Sequence, residues 1–409
     1  MMRRLVSFLS CLCTVMILTF VVGGIYWKPW DSRLEEGETN WRTGDRLLEL
    51  IRQYSISRPL PVRSRTCRPK KHFVFVKVHK CSSSTVASVL RKYALENNLT
   101  MALPASKSRS DIGWPAVVLP KHIYRYEDLN EGGVPLETSF FHQRFNLTTW
   151  RNVMPRDTIY LAVMREPLYQ LRSLIEFVPR LRNHIKGSTE EKIYNFFADP
   201  KAHHRRDPPV FSWTKSSVYS WTKSFMAYTL GFPQNAPMEV AESHLHDIDG
   251  VFDLVLLTEY LFESMVLLRR RMCWAMRDVV FIRLNSRFTE TIQYPEELHN
   301  KSRAWNKVDH LYYDHFKQRL LREISYEEHF QEELQRFKEV NDIINIFCSE
   351  VTRTRFMDDT VVPKSDWNEE FRFTRRDCDT LATGNAKVVS KLKKQLDGII
   401  DGDMARLVS

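Results

Sequence analysis

The chain of 409 residues lacks the short motifs that mark several large classes of protein. It has no G-x-x-x-x-G-K-[ST] run, so it carries no Walker loop for a nucleoside triphosphate. It also has no zinc-ligand spacing and no RNA-binding signature, so we expect neither a metal ion nor a nucleic acid as its ligand. Its 60 Lys and Arg against 50 Asp and Glu leave a net charge of +10, which is mild for a nucleic-acid binder and favours anionic ligands or surfaces.

One stretch, KHFVFVKVHKCSSST at residues 71–85, has the pattern of an anion site. Residues Phe73–Val78 are apolar except for Lys77, as in a buried strand, and a helical apolar spacing starts at Val86. Between them lie two potential cations and a cluster of hydroxyls. The free N–H groups and the dipole at a helix start favour phosphate or sulfate, so this strand, turn and helix suit such an anion. For this motif alone, an ordinary strand–helix turn is the alternative.

The N-terminal region predicts a membrane anchor. Residues 5–27 contain no charged side chain and can cross a hydrocarbon core of ~30 Å at ~1.5 Å per residue. Two arginines precede this run and favour a cytoplasmic N-terminus, while Tyr26 and Trp27 are typical of a membrane interface. We therefore predict a cytoplasmic tail at 1–4, a transmembrane signal anchor at 5–27 and a luminal remainder. A cleaved signal peptide is the alternative, but it would have a shorter apolar region and a small-residue cleavage site.

Sequons and cysteines agree with a luminal body. The N-x-[ST] pattern predicts glycosylation at Asn98, Asn146 and Asn300. Five cysteines follow the span, and because this number is odd, at least one is free or pairs between chains. We predict that Cys81, in the hydroxyl-rich turn, is the free one. The other four would form two bridges in an oxidising lumen, in any of three connectivities: Cys67, Cys273, Cys348 and Cys378.

Beyond the span the sequence divides into a stem and a domain. Residues 28–70 mix charge, proline and polar residues and predict a stem, with an ordered extension packed on the core as the alternative. From 71 to 409, short apolar runs alternate with amphipathic stretches, which predicts an α/β domain with a mostly parallel sheet covered by helices. The predicted strands are Phe73–Val78, Thr158–Val163, Phe252–Leu257 and Val279–Leu284. The predicted helices are Ser84–Glu96, Pro167–Phe177, Glu190–Phe197, Tyr260–Met276, Trp305–Ile324 and Tyr326–Phe347.

A second motif follows another strand of the buried type. The run Asp157–Met164 ends in Arg165-Glu166-Pro167, where proline suits the first position of a helix, and Ser173 lies in that helix. Arginine at the carboxyl end of a strand and serine in the next helix can hold one phosphate together, because parallel sheets bind ligands at this edge. For Arg165 alone, an ion pair with Glu166 or Glu176 is the alternative.

Through these two motifs together, the chain resembles the galactose-3-O-sulfotransferases, which include the galactosylceramide sulfotransferase and are Golgi type II membrane enzymes. Lys77-Val78-His79-Lys80 through Thr85 resembles the K-T-H-K-T-A-G-T-T loop of that family. His142-Gln143-Arg144-Phe145 resembles its H-x-R-F segment, and Arg165-Glu166-Pro167 with Ser173 resembles its R-[DE]-P…S element. Further matching residues include Asn98-Leu99-Thr100, Glu259-Tyr260, Cys273-Trp274 and Leu284-Asn285.

The resemblance implies a P-loop-like sulfotransferase fold and transfer of a sulfuryl group from 3′-phosphoadenosine-5′-phosphosulfate (PAPS). The acceptor would be the 3-hydroxyl of a β-galactosyl residue on a glycolipid or glycoprotein, and no metal is needed. The first loop would hold the 5′-phosphosulfate, and Arg165 and Ser173 the 3′-phosphate. Lys80 would neutralise the leaving phosphate, and His142, or as second choice His79, would remove the proton of the hydroxyl. The loop residues carrying the donor role are Lys77, Lys80, Cys81, Ser82, Ser83, Ser84 and Thr85.

The chain departs from the family at one point, where Cys81-Ser82-Ser83 replaces T-A-G. Losing the glycine matters if the turn needs a positive φ. Two alternatives to the galactoside enzyme remain: a sulfotransferase of another acceptor class, such as a uronosyl 2-O enzyme, and a non-catalytic luminal scaffold that keeps the fold. The modest basic charge favours the galactoside enzyme over one with a polyanionic acceptor. The sequence leaves the oligomeric state open, with a homodimer as one alternative.

Overall fold

The computed structural model describes residues 67–106, 111–206, 221–233, 236–282, 292–353 and 358–408. Within them, four short strands form a parallel sheet in the order β2-β1-β3-β4. The strands are β1 (Phe73–Val76), β2 (Thr138–Ser139), β3 (Ile159–Met164) and β4 (Leu254–Leu257). Because all four run in the same direction, their carboxyl ends meet at one edge of the sheet, where α/β proteins bind ligands.

Strands β1, β3 and β4 are buried on both faces almost throughout, as their apolar sequences predict. Every residue of β1 and β4 is buried, and β1 pairs with β3 from Phe73 opposite Ile159 to Val76 opposite Ala162. Near-continuous apolar runs are typical of a parallel sheet covered by helices on both sides. The predicted α/β architecture with a central parallel sheet and flanking helices is therefore confirmed.

The helices of the described residues surround this sheet. The first eight are α1 (Ser83–Glu96), α2 (Tyr126–Glu131), α3 (Leu147–Val153), α4 (Pro167–Phe177), α5 (Pro179–His184), α6 (Glu191–Ala198), α7 (Pro200–Arg206) and α8 (Phe225–Thr229). They are followed by α9 (Met238–Asp249), α10 (Leu261–Met272), α11 (Met276–Val279), α12 (Glu296–Trp305), α13 (Lys307–Ser325), α14 (Phe330–Arg353), α15 (Arg375–Ala382) and α16 (Asn385–Val408). A separate antiparallel hairpin consists of β5 (Asp359–Val362) and β6 (Phe371–Thr374).

The strand predicted at Val279–Leu284 is wrong over its described part. Val279 ends helix α11, and Val280, Phe281 and Ile282 belong to no strand; residues 283 and 284 lie outside the described part. The N–H of Phe281 donates to the Asn341 side chain on α14 at 2.9 Å instead of to a neighbouring strand. A short apolar run has the same sequence pattern in a buried strand and in a buried segment without strand structure, which explains the error.

The helix predicted at Tyr260–Met276 is interrupted at Cys273. This residue takes a left-handed conformation with φ 58° and ends α10, and a short helix restarts at Met276. Cys273 forms a disulfide with Cys67, and the Lys70 N–H donates to the Met272 carbonyl at 2.9 Å. The last residues of the predicted stem, 67–70, are therefore fastened to the end of α10.

The cysteine prediction is confirmed, and the structure selects one connectivity. The bridges are Cys67–Cys273 and Cys348–Cys378, with Cα–Cα distances of 5.7 and 5.4 Å. Cys81 is free and buried. The predicted tail and anchor at 1–27 and the stem up to residue 66 lie outside the described residues. In the part that the structure describes, no helix has the length and apolarity needed to cross a membrane.

Candidate active site

The turn between β1 and α1 has the geometry of an anion-binding helix start. Lys80 and Ser82 have φ values of 66° and 52°, and α1 begins at Ser83. The Ser82 carbonyl accepts the N–H of Thr85 at 3.0 Å, while the N–H groups of Ser83 and Ser84 lie in the first turn, where a helix offers no internal acceptor. The exposed Ser84 adds a hydroxyl. These groups form a compact set of donors suited to a phosphate or sulfate oxygen.

The lost family glycine causes no backbone strain here. It would stand at Ser83, which is the first helical residue, whereas the two left-handed positions are Lys80 and Ser82. A non-glycine residue with positive φ is uncommon but tolerated when its surroundings fix it. The Arg165 guanidinium contributes to this fixing, because its Nη1 donates to the Lys80 carbonyl at 3.2 Å.

Arg165 therefore joins the two motifs that the sequence predicted separately. It follows the last residue of β3, and besides its bond to Lys80 its Nε lies 3.9 Å from Glu259 Oε1. The ion pairs expected as the alternative do not form, since Glu166 caps α4 and Glu176 pairs with another residue. The arginine is thus held at the edge of the sheet, beside the turn.

One face of α4 lies against the same turn. Gln170 Nε2 donates to the His79 carbonyl at 3.4 Å, and the Lys80 Nζ lies 3.8 Å from the centroid of the Phe177 ring. Ser173 stands three residues after Gln170 and four before Phe177, so it shares this face of the helix. The predicted serine is therefore on the side of α4 that faces Lys80, as binding one ligand together with Arg165 requires.

The two candidate histidines stack on each other. The rings of His79 and His142 have centroids 3.6 Å apart and an angle of 14° between their planes. His142 Nδ1 lies 2.7 Å from the Lys77 carbonyl, so Nδ1 carries the proton and donates it to this oxygen. The lone pair of a neutral His142 is then on Nε2, which makes no hydrogen bond with the described residues. Nε2 is therefore the nitrogen of His142 that can accept a proton.

Burial keeps both imidazoles neutral. It lowers the pKa of His79 and of His142 well below the ordinary value of 6.5, and the Lys77 ammonium lowers both pKa values further. Burial also lowers the pKa of Lys77 to about 8, against the opposing effect of Asp111. A neutral imidazole is the form that accepts a proton, so both histidines are in that form near neutral pH, while the same burial makes each a weaker base than a free imidazole.

An aromatic wall backs the histidine pair. Trp221 lies 4.5 Å from the His79 ring and stacks on Phe225 at 4.4 Å, and Trp114 lies 5.2 Å from His79. All three are buried, with Trp221 only 4% exposed, so they pack as core. This wall supplies the desolvation that lowers the histidine pKa values.

A carboxylate network lies beside Arg165. Glu259 Oε1 accepts the N–H of Glu166 at 3.1 Å, and its Oε2 accepts the hydroxyl of Tyr313 at 3.1 Å. Burial raises the pKa of Glu166 to about 7, and the negative charge of Glu259 adds to the rise. No site role for Glu259 was predicted from the sequence, although this residue follows β4, whose end lies next to the end of β3. Gln170 and Phe177 were missed because their contacts become visible only once α4 lies against the turn.

The sequon asparagines occupy different settings. Asn98 and Asn300 are exposed, in a turn and on α12, while the half-buried Asn146 accepts the N–H of Thr149 at 3.1 Å as the cap of α3. Within the described ranges, no group of three or more His, Cys, Asp or Glu residues is arranged to hold a metal ion. Glycosylation of the three asparagines stays a prediction.

Comparison with known proteins decides the family. The family model described as Galactose-3-O-sulfotransferase matches residues 2–361. The chain belongs to this family. This galactose-3-O-sulfotransferase family member is 32% identical to human Galactose-3-O-sulfotransferase 2 over 255 residues, which are 62% of this chain and 61% of the relative. It is 26% identical to human Galactosylceramide sulfotransferase over 288 residues, which are 69% of this chain and 65% of the relative.

A third relative shows the same partial coverage. Mouse Galactose-3-O-sulfotransferase 3 is 28% identical over 272 residues, which are 65% of this chain and 60% of that protein. The matched regions thus cover less than two thirds of each relative. The family predicted from the two motifs is confirmed.

Proposed function

We propose that this family member transfers a sulfuryl group from PAPS to the 3-hydroxyl of a β-galactosyl residue. One observation carries the proposal: the Arg165 guanidinium donates to the Lys80 carbonyl, which brings the two predicted phosphate-binding motifs to one edge of the sheet. The names of the relatives agree with a sulfotransferase acting on galactose. PAPS carries a phosphosulfate and a separate 3′-phosphate, so it needs two adjacent anion sites of this kind.

The donor set fits such a ligand. The start of α1, with Lys80 and the hydroxyls of Ser82, Ser83, Ser84 and Thr85, offers N–H, O–H and ammonium donors to the 5′-phosphosulfate. Lys77 and Cys81 are both buried, so they would support the turn from its inner side. Arg165 and Ser173 would take the 3′-phosphate, where the planar guanidinium matches two phosphate oxygens at once.

On the acceptor side, His142 is the proposed base. Its Nε2 would accept the proton of the galactose 3-hydroxyl while the hydroxyl oxygen forms a bond to sulfur. The bond from sulfur to the phosphate oxygen breaks, and its electron pair leaves with 3′-phosphoadenosine-5′-phosphate (PAP). Lys80 offsets the charge that develops on this oxygen. His79 lies 3.6 Å from the His142 ring and is the second candidate for the base.

The setting in the cell belongs to the same proposal. We propose a P-loop-like sulfotransferase fold, a single-pass type II anchor at 5–27, and a Golgi membrane location with the catalytic domain in the lumen. The acceptor would be a galactose-terminated glycolipid or glycoprotein. A uronosyl acceptor, a scaffold without activity and a homodimer are distinguished from this by the experiment below and by the measured mass of the purified protein.

The test combines donor binding with a panel of acceptors. PAP at millimolar concentration should raise the melting temperature of the protein, because a ligand that binds the native state stabilises it. Labelled PAPS should then sulfate galactosylceramide, lactosides or N-acetyllactosamine, and not desulfated heparin. Labelling of heparin alone would support a uronosyl enzyme. A protein that neither binds PAP nor transfers sulfate would support the scaffold.

A further inference from the structure

Phe177 is an exposed aromatic ring at the edge of the proposed active site. The residue is 61% exposed, although it ends a helix whose Leu171, Leu174 and Ile175 are buried. It stands one helical turn after Ser173 on the face of α4 that lies against the β1–α1 turn. Single exposed apolar side chains are common on protein surfaces, so the contacts of this ring decide whether it belongs to a ligand site.

The ring is in direct contact with the lysine of the proposed reaction. Lys80 Nζ lies 3.8 Å from the centroid of the Phe177 ring, within the range of a cation–π interaction. Phe177 is 61% exposed even with Lys80 in this place, so the contact leaves much of the residue open to solvent. The ring therefore offers a free apolar surface next to the ammonium.

The chemistry of the transfer puts the acceptor sugar in this neighbourhood. The sulfur being transferred must lie near Lys80, and the attacking hydroxyl must approach sulfur opposite the leaving oxygen. A sugar that presents this hydroxyl is then within reach of a ring that touches Lys80. Galactose has an axial 4-hydroxyl, which leaves the C–H groups of C3, C4 and C5 together on one face. This apolar face is suited to packing on an aromatic ring, because it buries apolar surface without burying hydroxyls.

We propose that Phe177 is the platform on which the β-galactosyl residue of the acceptor stacks. This inference rests on the proposed function and names a specificity-determining residue for it. The buried Trp114, Trp221 and Phe225 cannot serve this purpose, since they are enclosed in the core behind His79. Phe177 acts on binding of the sugar, whereas Lys80 and Arg165 act on the donor.

The experiment measures steady-state constants of the full chain with a β-galactoside acceptor, together with the Kd of PAP. Phe177→Ala should raise the acceptor KM about tenfold, which corresponds to about 1.4 kcal/mol. Phe177→Leu keeps apolar volume without a ring face and should also raise KM, while Phe177→Tyr and Phe177→Trp should keep it close to wild type. The PAP Kd should change less than about twofold in all four variants, on the scale where 1.4 kcal/mol is tenfold.

Tyr326→Ala provides a matched control. Tyr326 is 79% exposed and directly follows helix α13. Along α13, Tyr313 bonds to Glu259, which follows β4, and Arg319 bonds to the carbonyl of Phe252, which precedes β4. Tyr326 therefore lies toward the opposite edge of the sheet from the site, and its loss should leave both constants unchanged.

Two results would separate failure of this inference from failure of the proposed function. If wild type transfers sulfate but Phe177→Ala weakens PAP binding and leaves the acceptor KM unchanged, the ring serves Lys80 and the donor, and the platform is refuted. The platform is also refuted if Phe177→Leu behaves like wild type, because a ring face is then unnecessary. If wild type itself neither binds PAP nor transfers sulfate, the proposed function fails first.

Discussion

Replacing Arg165 with lysine tests whether this residue recognises the 3′-phosphate of the donor. Arg165 is oriented at two points, by its 3.2 Å hydrogen bond to the Lys80 carbonyl and by Glu259 Oε1 at 3.9 Å from its Nε. Lysine keeps the positive charge but has no planar fork, so it cannot hold these contacts and a bidentate phosphate together. The substitution should therefore remove the bidentate contact with the phosphate while it keeps the positive charge.

The magnitude follows from the kind of bond that is lost. A hydrogen bond to a charged group contributes about 1.5–3 kcal/mol, which is about a 10- to 150-fold change in Kd. We expect Arg165→Lys to weaken PAP binding by a factor in this range. Adenosine 5′-monophosphate lacks the 3′-phosphate, so its binding should change by only a few-fold. Isothermal titration of both ligands against both proteins measures the ratio.

A control and a contradictory result complete this prediction. Arg372→Lys on β6 changes an exposed arginine whose Nη1 lies 2.7 Å from Asp359, and it should leave both affinities unchanged. If Arg165→Lys weakens PAP and adenosine 5′-monophosphate by the same factor, Arg165 acts on the β1–α1 turn as a whole. The assignment of the 3′-phosphate to Arg165 would then be wrong.

Four further predictions concern protonation, the free thiol and a buried carboxylate. Because the pKa of His142 is lowered in the folded protein, the acid limb of kcat/KM should lie below pH 6.5; a limb above 6.5 would contradict the account. His79 and His142 bind more protons in the unfolded state than in the folded state below pH 6.5, so their contribution to the free energy of unfolding should fall as pH drops from 7 to 5; this fall, measured as the difference between wild type and a His79→Gln/His142→Gln variant, should be lost in the variant. Alkylation followed by peptide mapping should label the buried Cys81 only after unfolding, whereas labelling of the native protein would show that the turn opens. Asp309→Ala should lower the free energy of unfolding by about 1–3 kcal/mol, because this carboxylate accepts the N–H groups of Met226 and Ala227, and an unchanged denaturant midpoint would contradict this.

The strands and helices that the sequence predicts well are those with a local signal. Helix α4 begins at Pro167 and ends at Phe177, as the proline at its first position and its apolar spacing predict. Strands β1, β3 and β4 are continuous apolar runs. Strand β2 has only two residues, Thr138–Ser139, and no run of this length carries a periodic pattern.

The sequence predicts those parts of the site whose position depends only on the direction of the strands. Lys80 and Arg165 each follow a parallel strand, so the topology brings them to one edge of the sheet. The stacking of His79 on His142 and the contact of Lys80 with Phe177 depend on the packing of segments distant in sequence. No spacing within one segment carries that information, so these contacts required the structure.

The central claim is that His142 removes the proton of a galactose hydroxyl during sulfuryl transfer, and a comparison of wild type with His142→Ala tests it most directly. Both proteins are incubated with labelled PAPS and a terminal β-galactoside, and PAP binding is measured in parallel. The account predicts label at O3 of the galactoside with wild type. It also predicts a loss of about 10²–10⁴-fold in kcat for the variant, the range of general base catalysis, with PAP binding preserved. Transfer by His142→Ala at the wild-type rate would contradict it.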